Sequence, residues 1–179
     1  EGGLDADQLR EIHALKEQQR GSLAEYAEAR DLEYYDDKKP WCIDCDIALP
    51  CAVQNELDED NARALIENGC RIVAEGANMP CTTEAIERLQ QSPDTDFAPG
   101  KAVNAGGVAV SGLERTQNAQ HMVWPKDEVD RELQRIMRAI HERCLEYGQS
   151  DNGSVNYRCG ANLAGFVKLA DAMLAQGVL

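Results

Sequence analysis

Strand-like apolar runs alternate with helix-like stretches up to Gly100, and this alternation limits the possible folds more than any other feature of the sequence. Residues 43–49 (IDCDIAL), 70–76 (CRIVAEG) and 96–100 (DFAPG) are short and mostly apolar, and Pro50, Gly76 and Gly100 close them. A helix is predicted from Asp58 through ARALIEN to Gly69, and a second over 83–92, capped by Thr82 or Thr83. Apolar strands joined to helices by short connections predict a parallel α/β sheet with helices on its faces. Such strands want neighbours on both sides, and three make a thin sheet. The sequence is therefore expected to be a piece of a longer one, the more so because its first residues, Glu1-Gly2-Gly3, carry no Met and no signal peptide.

Upstream of the alternation, Asp5 is a predicted N-cap for a helix over 5–20 that Gly21 ends. Ser22 caps a shorter one, LAEYAEAR. Residues 31–41, DLEYYDDKKPW, read as a short strand plus loop. After Gly100 the pattern turns wholly helical. Helices are predicted over 104–122, 126–147 and 161–175, with a polar loop at 149–156. The second carries the stripe Val129, Leu133, Ile136, Met137, Ile140, Cys144 on one helical face.

Composition bears mainly on what is excluded. A chain of 179 residues with 43% apolar content can bury a core. A net charge of −14 argues against nucleic acid and against anionic lipid, both of which need clustered cations. Charges interrupt every apolar stretch, so no membrane span is expected. The seven cysteines are odd in number and irregular in spacing, which fits thiols in a reducing cytoplasm rather than a disulfide framework. Cys42-Ile43-Asp44-Cys45 is a C-x-x-C, but it lacks a fourth ligand at zinc-site spacing and opens a strand where a redox motif would open a helix. No metal site is expected.

Three segments carry residues that structure alone does not ask for. They are 48–56 (ALPCAVQNE), 75–80 (EGANMP) and 104–112 (NAGGVAVSG). The first two sit at carboxyl ends of predicted strands, where open α/β sheets bind ligands. Small residues at Ala52 and Ala77 let a flat ring approach the backbone. Asn78 and Asn104 offer both donor and acceptor groups. Gly106 and Gly107 are expected to free backbone N–H groups at a helix start, which favours an anion, and Ser111 adds a hydroxyl one turn on. Equally, the asparagines can be turn residues and the glycines close-packing ones. No G-x-G-x-x-G and no phosphate-binding G-x-x-x-x-G-K-[ST] occurs. The stretch 160–165 has the right glycine gap but continues into Phe166-Val167.

The runs DIALPCAVQNELD, VAEGANMP and PGKAVNAGGVAVSGLE resemble the NADP-type, short-subunit, hexameric glutamate dehydrogenases. Lys39-Pro40-Trp41, Gln117-Asn118, Asn156-Tyr157, Gly160-Ala161-Asn162 and the final ADAMLAQGVL agree, so the resemblance covers essentially the whole sequence. It implies an incomplete Rossmann-type parallel sheet with flanking helices. Residues 1–103 would be the later part of the cofactor domain, and 104–179 C-terminal helices linking to a substrate domain that is absent here. The catalytic lysine and aspartate, the glycine-rich turn and the residue reading the ribose 2′-position would all lie upstream, so no catalytic residue is assigned. By the same resemblance, Ser111 contacts the distal carboxylate of L-glutamate or 2-oxoglutarate and Val108 lines that pocket. Cys51, Ala52, Asn78 and Asn104 line the nicotinamide–ribose end of NADP, or alternatively NAD. Ammonium is the remaining substrate, the parent is a cytoplasmic homohexamer, and this chain alone is inactive. Cys81 departs from the threonine found in many such enzymes. Dehydrogenases of leucine, valine or phenylalanine, and a free-standing nucleotide-binding module, remain as alternatives.

Overall fold

A computed structural model describes residues 3–151 and 153–177. The chain divides into two compact units, 1–40 and 41–179.

The first unit holds α1 (Ala6–Ala14), which runs on as a π-helical turn over Leu15–Gln19, and α2 (Leu23–Ala29). Both α-helices start at capping boxes, Asp5 with Gln8 and Ser22 with Glu25, as local sequence dictates. Arg20 takes a left-handed backbone at φ 53° and ends the first helix before Gly21. Glu11 joins the helices, accepting from the Tyr26 hydroxyl at 2.8 Å and pairing with Arg30. The strand predicted within 31–41 does not form. Asp31 and Asp37 adopt positive φ, which breaks an extended backbone, and the segment runs as turns into a 3-10 turn at Pro40–Cys42.

The second unit is the α/β part. Strands β1 (Ile47–Ala48), β2 (Ile72–Ala74) and β3 (Asp96–Ala98) form a parallel sheet in chain order, with Ala48, Val73 and Phe97 side by side. Each strand is shorter than its apolar run. These three residues point into a core completed by Leu57, by Ala62 and Leu65 of α3 (Glu59–Glu67), and by Ala85 and Leu89 of α4 (Thr83–Gln91). Asp58 caps α3 with Asn61, and Gly69 follows it at φ +79°. Thr82 rather than Thr83 caps α4, its hydroxyl accepting from the Ala85 N–H at 3.3 Å. The opposite sheet face carries Ile47, Ile72 and Asp96, all exposed.

Beyond β3 come α5 (Gly100–Val103), α6 (Ala105–Gln120), α7 (Lys126–Gly148) and α8 (Tyr157–Gln176). Helix α8 starts at Tyr157, earlier than the predicted 161, because the Asn156 side chain caps it by accepting from the Cys159 N–H at 2.9 Å. The residue 160–165 stretch is thus helix, with no loop to wrap a phosphate. Helices α7 and α8 meet backbone to backbone. A Cβ on Gly160 would land on the Cys144 carbonyl oxygen, and one on Gly148 would lie 2.5 Å from the Asn156 oxygen. No helix among the described residues is long and apolar enough to cross a membrane.

Candidate functional site

The loops that leave β1 and β2 are laced together at the carboxyl end of the sheet. Pro50 O accepts from the Gly76 and Ala77 N–H groups, both at 3.0 Å. Farther out, Met79 O accepts from the Asn55 N–H at 3.0 Å, and Pro80 O from the Leu57 N–H at 2.9 Å. Asn55 and Met79 hold positive φ, 56° and 50°, so both loops turn sharply where they touch. A Cβ on Gly76 would strike Cys51 Sγ, so a side chain there would have to push that thiol aside.

Between these loops and the start of α6 lies a cleft of about 660 Å³. Its walls include Cys51, Ala52, Asn78, Asn104 and Val108, together with Gln54 and Ala77. Five of the six residues that the resemblance assigns to binding therefore share one cleft, although they come from three separate segments. The asparagines meet directly: Asn104 Nδ2 donates to Asn78 Oδ1 at 2.9 Å and to Ala77 O at 3.2 Å. That leaves the Asn78 amide hydrogens and the Asn104 Oδ1 as a donor and an acceptor for a ligand.

Ser111 is not part of this lining. It lies one helical turn beyond Val108 on α6, exposed, with its hydroxyl donating to Gly107 O at 3.2 Å. Helix α6 begins at Ala105, so Gly106 and Gly107 lie in its first turn as expected. The Gly107 N–H is not free, because Asn104 O accepts from it at 3.2 Å. The two glycines differ in role. A Cβ on Gly106 would sit 3.3 Å from Leu133 Cδ1 and 3.5 Å from Met137 Sδ, so Gly106 lets α7 approach. Gly107 faces open space.

Glu75 was passed over in the sequence because a lone acidic residue after a strand gives no signal. In the structure it is buried, 5% exposed, at the floor of the loops. Its carboxylate accepts from the Gly100 N–H at 2.7 Å and from the Cys81 N–H at 3.3 Å. Burial, and then the neighbouring Glu75 charge, push the Cys81 thiol far above its usual range.

Of the C-x-x-C pair, Cys42 is exposed in the 3-10 turn and Cys45 half-buried against the core. Among the described residues no group of three or more His, Cys, Asp or Glu is placed to hold a metal ion.

Residues 1–177 match the family described as Glutamate/Leucine/Phenylalanine/Valine dehydrogenase. The chain is 52% identical over 179 residues to an NADP-specific glutamate dehydrogenase of Escherichia coli K12, covering all of this chain and 40% of that protein. It is 53% identical over 142 residues to an NAD-specific glutamate dehydrogenase of Bacteroides fragilis, covering 79% of this chain and 32% of that one. Among solved structures, glutamate dehydrogenase 2 of Plasmodium falciparum superposes with a TM-score of 0.89 at 44% identity, over 99% of this chain and 39% of that chain. The chain thus spans about 40% of the length of the curated relatives that it matches over its whole length. The matched length and the superposition agree, and the chain belongs to the glutamate, leucine, phenylalanine and valine dehydrogenase family.

Proposed function

We propose that this chain is the later part of the cofactor domain, with the C-terminal helices, of a glutamate dehydrogenase subunit. That subunit interconverts L-glutamate with 2-oxoglutarate and ammonium, passing a hydride to or from NADP. The observation that supports this best is the cleft that gathers Cys51, Ala52, Asn78, Asn104 and Val108 beyond the strand ends. One open donor and one open acceptor on the asparagine pair match a primary carboxamide, such as that of a nicotinamide ring. The small walls at Ala52 and Ala77 admit its flat face. The cofactor supplies the hydride chemistry, and these residues orient the ring and exclude water from one side of it.

On this reading residues 1–103 contribute the sheet and the cofactor wall, and 104–179 lead back toward the substrate domain. Ser111, one turn past Val108, receives the distal carboxylate of glutamate. The parent is a cytoplasmic homohexamer. Relatives of nearly equal identity bear NADP-specific and NAD-specific names. Discrimination at the ribose 2′-position is accordingly assigned to residues outside this chain.

The direct test is Asn104→Ala in the parent subunit. Losing the hydrogen bonds of this side chain should raise KM for the nicotinamide cofactor by about 5- to 150-fold. An unchanged KM would remove the cleft from the cofactor site.

A further inference from the structure

We infer that Glu75 is a positioning residue for the cofactor cleft: its buried carboxylate fixes the asparagine pair by holding the two loops that carry it. This rests on the cofactor assignment above. An anionic side chain 5% exposed is costly to bury. Among the described residues no Lys, Arg or His forms an ion pair with it; its partners are two backbone N–H groups, one on each oxygen, and the Cys81 thiol. Oε2 holds Gly100 at 2.7 Å and Oε1 holds Cys81 at 3.3 Å. Hydrogen bonds to a charged acceptor are among the stronger ones.

The consequences run outward to the cleft. The Asn104 N–H donates to Gly100 O at 2.9 Å, so Asn104 hangs from the residue that Glu75 holds. The Asn104 side chain then reaches Ala77 O and Asn78 Oδ1. The other oxygen steadies Cys81, at the end of the turn in which Met79 sits at φ 50°. There is little slack: a Cβ on Gly100 would lie 3.1 Å from Ala77 O and 3.4 Å from both Glu75 Oε2 and Asn104 Nδ2. Two N–H donors on opposite oxygens require an acceptor at each. A carboxamide has only one, so a Gln here must turn its NH2 toward Gly100 or toward Cys81.

The test uses the parent subunit with Glu75→Gln. The expected result is a cofactor KM raised by about 10-fold or more, with kcat at saturating cofactor within about threefold of wild type. Amide hydrogen exchange should quicken over 77–82 and 100–104 while α3 stays protected. A purely structural role would instead loosen α3 as well and leave KM alone. A KM within twofold of wild type, where Asn104→Ala raises it, overturns the inference. Should Asn104→Ala also leave KM unchanged, the cofactor assignment fails, and exchange alone then decides. Faster exchange confined to the two segments keeps Glu75 as their clamp, and unchanged exchange refutes it. If Glu75→Gln does not fold, Gly100→Ala presses on the same network from the Ala77 carbonyl without removing a charge. It must reproduce the rise in KM, and a wild-type KM in that variant counts against the proposal.

Discussion

At the scale of single residues, Ser111 stands outside the cleft with a partner of its own. Ser111 spends its hydroxyl hydrogen on Gly107 O over a long 3.2 Å bond, which a carboxylate can displace. Ser111→Ala in the parent subunit should therefore lower glutamate kcat/KM by about 10- to 150-fold while sparing norvaline, which has no distal carboxylate. The check is the glutamate-to-norvaline ratio of kcat/KM. A ratio unchanged within about twofold would return Ser111 to a packing role.

Cys81 makes a different prediction. Burial and Glu75 raise its pKa in the folded chain, so above the usual thiol range, near 9, the unfolded chain loses a proton that the folded chain keeps. The contribution of this thiol to stability should be level below about pH 9 and then fall by about 1.4 kcal/mol per pH unit. Cys45 and Cys144, also raised by burial, add to the slope. Urea titrations at several pH values should show Cys81→Ala flattening the decline in part; an unaltered slope would contradict the assignment.

At the scale of elements, helix starts were legible and strand lengths were not. Asp5 and Ser22 cap where predicted, and Asp58, expected as the first residue of its helix, is the cap one residue before it, because an N-cap acts on amides two or three residues away. Strand lengths depend on partners distant in sequence. The run 43–49 has only β2 beside it and pairs over Ile47–Ala48 alone. The glycines divide in the same way. Gly160 has no space for a methyl group against Cys144, so Gly160→Ala should destabilise the α7–α8 crossing by about 1–3 kcal/mol. Gly107→Ala meets open space inside a helix and should be neutral or stabilising by up to about 1 kcal/mol. Thermal unfolding of the two variants side by side checks the contrast. Equal shifts in Tm would mean that the crossing is not the tight contact described.

For the whole molecule, the second unit leaves many apolar side chains exposed, two groups of them on or beside its regular elements. Ile47 and Leu49 on and beside β1 are 54% and 57% exposed, and Phe166, Leu169 and Met173 form a stripe on α8. Chains of this family that match it run about two and a half times as long. On the proposed function, the rest of the subunit brings the catalytic lysine and aspartate. The purified 179-residue chain should accordingly show no glutamate-dependent formation of NADPH. Measurable turnover by this chain alone would contradict that division of labour.

The sequence by itself determined the type and order of most elements, several of their caps, and the three segments that meet at the cleft. These follow from side-chain periodicity and from contacts within a few residues along the chain. The tertiary structure alone decided that residues 31–41 form no strand, that Asn104 O takes up the Gly107 N–H, and that Ser111 stands a turn outside the cleft. It alone revealed Glu75, whose partner Gly100 lies 25 residues away. A carboxylate's burial and its partners are set by which loops the sheet brings together, and no local pattern of residue types encodes that meeting.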